Sequence, residues 1–478
     1  MHLSTTMSPS RTPYRQAYRQ STWSRRRDSE ESIIAIEKMR PIYSARGELP
    51  VHNWTSSRAT SRRNMVRIKP SGESGRSGLH PWEFLKITWR SSSRASLLCN
   101  IFWPVVPAAF VVRCKTYTEV AVDILPDYHV LIFALTYMAT IPCANMVGFA
   151  GQELSRKVNH VFGVLIQTTF GSIVEVILFI VLLHDNQFTV IKAAILGSIL
   201  ATMLLCLGMC FVAGGMRRDE AEFSETVSEA GTGLLFTAGV ALAVPAVFSY
   251  SMASSLTFDQ LHDKTLHISR VVSVLQVIAY SVFVYFQAHT HHGIYDAIFE
   301  NDEQREHKSR EYVSKPKLTL TECIVALLIS ITLVTFMAVY LVEQIHPIVM
   351  RHGVVSDHFM GLILVPLVEK TAEHLTAVSE AWDNRMNFAL SHVLGSTLQT
   401  ALLNGPLVII IAWVLGKHMD IVFEVFDVAM LILAILTVGN FLRNPKCNYL
   451  EGFLCIIVYL AIGVAAYYYP NPEGKGRH

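Results

Sequence analysis

The stretch Gly171-Ser172-Ile173-Val174-Glu175 decides how the rest of the chain is interpreted, because it places a carboxylate inside an apolar run from about 159 to 183. A carboxylate at bilayer depth costs roughly 2.5 to 3.5 kcal/mol, so such residues usually face an ion pathway or a charged partner. The stretch Glu369-Lys370-Thr371-Ala372-Glu373-His374 repeats the arrangement inside a second apolar run, from about 358 to 379. The sequence therefore predicts two carboxylates within the membrane.

An internal repeat relates these two stretches. The segment that begins Leu196-Gly197-Ser198 matches the segment that begins Leu394-Gly395-Ser396 at seven of ten positions. The glutamates and the serines share one offset, since 373 − 175 = 198 and 396 − 198 = 198. Repeats of this kind are typical of transporters whose binding site lies near the bilayer midplane, between the two halves.

The composition predicts an all-α polytopic membrane protein that spans a lipid bilayer and has a polar extension. Of the 478 residues, 51% are hydrophobic and 16% are charged. Residues 1–95 hold 18 Lys and Arg against 7 Asp and Glu, about +11, and their polar composition predicts a disordered, basic cytosolic tail. No nucleotide-binding or catalytic motif is present, so we expect neither an ATP-driven pump nor an enzyme, and no cofactor or nucleic-acid partner.

Apolar runs long enough to cross the bilayer predict about eleven transmembrane helices. Their approximate spans are 96–113, 128–149, 159–183, 189–213, 230–250, 269–287, 319–343, 357–379, 388–415, 421–442 and 448–468. Basic residues concentrate in the even-numbered loops. This bias places the N-terminus in the cytosol and the C-terminus on the opposite, lumenal side.

The spans group into one N-terminal helix, 96–113, and two exchanger repeats of five helices each, 128–287 and 319–468. An odd number of helices inverts the second repeat relative to the first, so a pseudo-twofold axis in the membrane plane brings the two glutamates together. A cytosolic loop over 288–318, acidic and then basic, joins the repeats, and residues 469–478 form a C-terminal tail.

Two facing carboxylates suit a hard cation such as Ca²⁺, and they also suit protons, because neighbouring carboxylates do not both ionise cheaply without a cation. One site then binds both ions alternately, as antiport requires. Glu175 and Glu373 are the predicted cation and proton ligands, and Gly171 loosens the helix to free carbonyl ligands. Further candidate ligands are Ser172, Ser198, Ser396 and Gln399. His374 has two open interpretations, a proton relay or gate and a packed interhelical histidine.

The chain resembles the cation/Ca²⁺ exchanger superfamily, and within it the vacuolar Ca²⁺/H⁺ exchanger branch of fungi and plants. The resemblance covers roughly residues 96–468 and is carried by five features: Thr168–Glu175, Ala372–Val378, the two Leu-Gly-Ser segments, Gly148–Leu154, and Leu207–Phe211 followed by Gly214-Gly215. It implies an eleven-helix exchanger that uses the proton gradient to load Ca²⁺, sometimes Mn²⁺, into an acidic organelle. Glu175 and Glu373 are then the central ligands.

The family pattern is Gly-Asn-x-x-Glu in both repeats, with an Asn after the first Leu-Gly-Ser segment, and the chain departs from it in three places. Ser172 replaces Asn in the first repeat, Glu369-Lys370 replaces Gly-Asn in the second, and Thr202 replaces an Asn. Lys370 shares a helical face with Glu373. Its ammonium either pairs with a site carboxylate and occupies the place of a bound cation, or pairs with Glu369 or snorkels and leaves the site open. Two further functions therefore remain: an exchanger with altered, monovalent selectivity, and a non-transporting membrane protein that acts by interaction.

Overall fold

The structure, a computed structural model, describes residues 74–91, 94–116, 128–158, 166, 169–216, 218, 220–291, 317–352 and 355–470. The chain divides into two units, Met1–Asn64 and Met65–His478, and every described residue belongs to the second. Most of the predicted basic tail, most of the loop over 288–318 and most of the tail over 469–478 lie outside the described residues. The disordered, cytosolic character of these segments therefore stays a prediction.

The described part of the chain is helical apart from one very small sheet, which confirms the predicted all-α class. In chain order the α-helices are α1 Pro81–Arg90, α2 Arg94–Asn100, α3 Val105–Thr116, α4 Tyr128–Ser155, α5 Ile173–His184, α6 Phe188–Leu200, α7 Leu207–Gly215, α8 Glu225–Met252, α9 Phe258–Tyr285, α10 Leu320–His352, α11 Asp357–Phe359, α12 Val365–Trp382, α13 Met386–Gln399, α14 Gly405–Val414, α15 Val425–Phe441 and α16 Tyr449–Tyr467. Four π-helical segments continue them, at Ala201–Cys206, Phe286–Thr290, Met360–Leu364 and Thr400–Asn404. The sheet pairs β1, Ala221–Glu222, with β2, Lys446–Cys447, antiparallel.

Eight of the described helical segments are long and apolar enough to cross a membrane. They are Ser96–Cys114, Tyr128–Ser155, Phe188–Gly215, Glu225–Met252, Phe258–Thr290, Leu320–Met350, Met386–Val414 and Tyr449–Tyr467. The shorter helices α5 and α15 are also apolar. The segment 357–382 is continuously helical but carries several charges. Each of these eleven segments overlaps one predicted span, but of the span 159–183 residues 159–165 and 167–168 lie outside the described residues. The number of segments that crosses the bilayer remains a prediction.

The two repeats fold with the same local irregularity. Each has a π-helical segment directly after its Leu-Gly-Ser motif, Ala201–Cys206 in the first repeat and Thr400–Asn404 in the second. With the offset of 198 the first segment maps onto 399–404, so the irregularities coincide. π-helical turns concentrate at functional sites because they redirect side chains from the regular helical face. The first helices of the repeats, α4 and α10, pack against each other.

Glycine permits the close approach of α6 to the π-helical segment before α12. A Cβ atom added to Gly197 on α6 would lie 2.2 Å from the carbonyl oxygen of Leu362. From the other side, a Cβ atom on Gly361 would lie 2.6 Å from the carbonyl oxygen of Val190. No side chain fits at either contact. This contact between backbones holds α6 of the first repeat beside α12 of the second.

Contacts between turns sort the helix ends into two groups. At one end, the Lys417 ammonium donates to the carbonyl oxygens of Leu183 and His184, which joins the turn after α14 to the turn after α5. At the other end, Arg218 donates to Asn384, and β1 pairs with β2. Odd-numbered loops therefore meet odd-numbered loops and even meet even, as alternating spans require. The compartment that each end faces remains a prediction from the charge bias.

Candidate functional site

Glu175 lies in the first turn of α5, directly after a break in the helix at Ser172, which has φ −100° and ψ 1°. The positive end of the α5 dipole therefore favours its carboxylate. Its side chain is 1% exposed. The Thr400 hydroxyl donates to its two oxygens over 2.9 and 3.0 Å, and the Asn404 amide donates to Oε2 over 2.7 Å. Both donors belong to the π-helical segment of the second repeat, which fixes this carboxylate.

Glu373 lies on α12 and is more accessible, because 26% of its side chain is exposed. Its Oε2 accepts a hydrogen bond of 2.8 Å from the Ser396 hydroxyl on α13. Its Oε1 approaches the backbone of Gly171, where an added Cβ atom would be 3.6 Å away. The carboxylate of the second repeat thus reaches the helix break of the first repeat, as the pseudo-twofold arrangement predicts.

The Lys370 side chain lies between the two carboxylates and is 2% exposed. Its ammonium nitrogen is 2.8 Å from Glu175 Oε2 and 3.5 Å from Glu373 Oε2. It also donates to the Ser396 hydroxyl over 3.2 Å. Of the two placements that the sequence left open, the structure has the one in which the ammonium occupies the place of a cation.

Glu369 lies apart from the ammonium of its neighbour and pairs across the repeats. Its Oε1 accepts a hydrogen bond from the Ser198 hydroxyl on α6. Its Oε2 is buried and accepts no hydrogen bond from the described residues. Ser198 therefore donates to a carboxylate of the second repeat. Ser396, by contrast, donates to Glu373, the central glutamate of its own repeat. The sequence placed both hydroxyls beside the site and did not indicate this exchange of partners.

The remaining predicted site residues line the same cluster. The Gln399 amide donates to the Ser172 hydroxyl over 2.7 Å, so its nitrogen faces the helix break. His374 is buried and its Nε2 lies 3.3 Å from the Thr202 hydroxyl. It faces the π-helical continuation of α6. Both interpretations of His374 remain open, since a packed histidine and a relay histidine both use such a partner.

The formal charge of the cluster is unchanged by the two unusual residues. With all carboxyls ionised, Glu175, Glu369 and Glu373 contribute −3 and Lys370 contributes +1, which gives −2, the charge of two glutamates alone. The position of the charge differs, however. Among the described residues no group of three or more His, Cys, Asp or Glu side chains has the geometry of a metal site.

Sequence reasoning missed Thr400 and Asn404, the two donors that hold Glu175. Both lie in an apolar run, four residues apart and so on one helical face. The internal repeat could have identified Thr400. The offset of 198 maps Thr202, one of the departures from the family pattern, onto Thr400. A polar residue at both equivalent positions indicates a role at the midplane.

Comparison with known proteins agrees with this geometry. The family described as sodium/calcium exchanger protein matches residues 128–288 and 323–468, which overlap the two predicted repeats. The chain is 30% identical to the vacuolar calcium ion transporter of Schizosaccharomyces pombe over 71% of the chain and 80% of that protein. It is 30% identical to vacuolar cation/proton exchanger 2 of Arabidopsis thaliana over 72% of the chain and 77% of that protein.

Two solved structures share the fold. The structure of native YfkE matches with a TM-score of 0.62 and 23% identity, over 77% of this chain and 99% of that one. The crystal structure of an H⁺/Ca²⁺ exchanger named CAX matches with a TM-score of 0.54 and 10% identity, over 79% of this chain and 91% of that one. At these identities the likeness establishes the architecture of the helices and not the ion that is carried.

Proposed function

Since the chain belongs to the sodium/calcium exchanger protein family, we propose that it is a secondary antiporter that exchanges Ca²⁺ for H⁺ across the vacuolar membrane. Its relatives include a vacuolar calcium ion transporter and a vacuolar cation/proton exchanger. It is accordingly a membrane transporter and not an enzyme, with Ca²⁺ and H⁺ as substrates and Mn²⁺ as an alternative cation. Its N-terminus faces the cytosol and its C-terminus the lumen.

One observation carries the proposal: each repeat contributes one glutamate, and the two carboxylates share a single cation, the Lys370 ammonium. A site that holds a positive charge between two acids is suited to hold Ca²⁺ or protons in the same place. Glu175 is fixed by Thr400 and Asn404, whereas Glu373 is partly exposed. We therefore assign cation and proton binding to both glutamates and entry of the ions to Glu373.

The Lys370 ammonium competes with Ca²⁺ for Glu175 and Glu373. In the cation-free form the ammonium balances one carboxylate charge, which reduces the repulsion between Glu175 and Glu373. Ca²⁺ binds only after the ammonium leaves Glu175 and Glu373. The hydroxyls of Ser396 and Ser172 then add oxygen ligands, and Gln399 joins them when its amide turns its oxygen to the site in place of its nitrogen. Glu369 contributes the additional negative charge that balances the displaced lysine. Ca²⁺ affinity is therefore lower than in a site with Asn at position 370.

The proposal is tested by uptake of ⁴⁵Ca²⁺ into sealed vesicles that contain the full-length protein and an acidic interior. We expect uptake that stops when the pH gradient is dissipated. Glu175→Gln and Glu373→Gln are expected to abolish it. Glu222→Gln, at a glutamate whose side chain is 75% exposed in β1, is the matched control and should transport normally. Normal gradient-driven uptake by either site variant would refute the assignment.

A second candidate function is exchange of a monovalent cation for H⁺, and the Lys370–Glu175 contact favours it. If that ion pair persists throughout the cycle, Glu175 is permanently neutralised and Glu373 alone remains to bind an ion. A single accessible carboxylate balances one monovalent charge and binds a divalent ion weakly. Glu369 does not alter this, because its carboxyl faces Ser198.

Competition separates the two candidates. Vesicles are loaded as above, and gradient-driven proton release is measured with Ca²⁺, Na⁺ or K⁺ outside. Calcium exchange predicts proton release with Ca²⁺ and little inhibition of it by an excess of Na⁺ or K⁺. Monovalent exchange predicts release with Na⁺ or K⁺ and none with Ca²⁺.

A further inference from the structure

A second acid–base pair lies outside the central cluster, between α12 and α13. The Nδ1 atom of His392 is 2.8 Å from Oε2 of Glu380. The Glu380 side chain is 9% exposed and the His392 side chain is 33% exposed. Ionisable residues within membrane helices are costly and usually functional. The hydrogen bonds described for the cation cluster involve neither Glu380 nor His392.

The register of the two helices places the pair next to the central site. Helices α12 and α13 are antiparallel, because only the turn 383–385 joins them. Glu380 follows Glu373 by seven residues, two helical turns or about 10 Å along the axis. On the facing helix, His392 precedes Ser396 by four residues, one turn. The hairpin thus carries two successive cross-links, Glu373 with Ser396 and then Glu380 with His392, the second nearer the turn.

The groups around the pair show which of its two members carries the proton, and that member is His392. On the hairpin itself, the charges that act on His392 besides Glu380 are those of Glu373 and Arg385. From α7, the packed Cys210 thiol lies within electrostatic range of Glu380. From α8, Val227 and Gly231 face Ser391 and Leu394 of α13, and neither carries a charge. An imidazole both donates and accepts protons, and the adjacent Glu380 carboxylate favours its charged form.

We propose that His392 is a proton-transfer station between Glu373 and the end of the α12–α13 hairpin, and that Glu380 is its positioning residue. This inference rests on the proposed exchange of Ca²⁺ for H⁺. At rest His392 is an imidazolium paired with the ionised Glu380. It first releases its proton to water at the hairpin end and becomes neutral. When Ca²⁺ replaces the proton on Glu373, that proton passes through intervening water to the neutral imidazole, so Glu373 becomes a carboxylate and His392 an imidazolium again.

The inference is tested by comparing two fluxes in the same vesicles. Uptake of ⁴⁵Ca²⁺ driven by a pH gradient requires net proton transfer, whereas exchange of ⁴⁵Ca²⁺ for unlabelled Ca²⁺ does not. Since a positioned proton-transfer group contributes roughly 100-fold or more, we expect His392→Gln to slow gradient-driven uptake at least about tenfold and to flatten its pH dependence. Ca²⁺/Ca²⁺ exchange should keep at least about half its rate, because it bypasses the station. Glu380→Gln should act in the same direction, more weakly.

The outcomes distinguish this inference from the proposed function. His267→Gln, at an exposed histidine on α9, is the matched control and should change neither flux. An unchanged pH profile in His392→Gln overturns the station and leaves the antiporter intact. Equal loss of both fluxes, with less folded protein, also overturns it and assigns the pair to clamping the hairpin. If the unaltered protein catalyses neither Ca²⁺ flux, the proposed function fails, and the station fails with it.

Discussion

Replacement of Lys370 with Asn should increase the apparent Ca²⁺ affinity of the exchanger. In the structure the ammonium lies 2.8 Å from Glu175 and 3.5 Å from Glu373, with 2% of its side chain exposed. Ca²⁺ must displace it before binding either carboxylate. Removing one partner of a buried ion pair costs about 3 to 5 kcal/mol, because the other charge is left unpaired. In Lys370→Asn the cation-free form is destabilised by that amount, because its carboxylates are unpaired. Ca²⁺ pairs with them again, so binding becomes more favourable.

The size of the effect follows from that energy. Because about 1.4 kcal/mol corresponds to a tenfold change in affinity, full recovery of 3 kcal/mol would lower the apparent KM for Ca²⁺ by roughly 100-fold. Partial movement of the side chains reduces the gain, so we expect a decrease of at least about tenfold. The cation-free variant should also unfold at a lower temperature at neutral pH. Its stability should return on addition of Ca²⁺, or at acidic pH where protons neutralise the two carboxylates.

The assay is the Ca²⁺ dependence of gradient-driven ⁴⁵Ca²⁺ uptake, together with thermal unfolding of the purified protein with and without Ca²⁺. Lys192→Asn is the matched control, because Lys192 forms an ion pair of 2.5 Å with Asp420, outside the site. That variant should lose some stability without a change in KM. An unchanged or higher KM in Lys370→Asn would refute the reasoning, since it would mean that the ammonium does not compete with Ca²⁺.

Two further predictions concern the framework of the site. Thr400→Val keeps the shape of the side chain but removes the hydroxyl that donates to both oxygens of Glu175. Since a hydrogen bond to a charged group contributes about 1.5 to 3 kcal/mol, uptake assays should show at least a tenfold higher KM for Ca²⁺. An unchanged KM would exclude this role of Thr400. Gly197→Ala should prevent stable folding, because its Cβ would lie 2.2 Å from the carbonyl oxygen of Leu362, whereas Gly395→Ala, at the equivalent position of the other repeat, meets nothing within 4 Å. Thermal unfolding of the two variants compares them directly, and equal stability would contradict the described contact.

The sequence predicted those parts of the fold that depend on local pattern and on the repeat. Apolar runs located the helices, and the shared offset located the glutamates and serines on equivalent helices. The segment 357–382 fails a simple test of apolar composition because it carries charges. Its place among the spans was still predictable, because Glu373 occupies the position equivalent to Glu175. Internal symmetry therefore compensated where hydropathy alone is ambiguous.

The contacts within the site depended on distances between helices, which the sequence does not contain. Helical periodicity put Lys370 on the face of Glu373, but only tertiary packing determines that its ammonium also reaches Glu175. The pairing of Ser198 with Glu369 crosses from one repeat to the other and breaks the internal symmetry. No pattern within one helix indicates such a contact.

If one pair of glutamates binds Ca²⁺ and protons alternately, movement of one ion drives movement of the other, and both are measured in the same vesicles. Vesicles without an initial pH gradient receive Ca²⁺ outside while interior pH and ⁴⁵Ca²⁺ content are recorded together. We expect Ca²⁺ entry to drive protons out, with both fluxes absent in Glu373→Gln. Ca²⁺ entry without any proton movement, in the absence of other ion gradients, would contradict the account.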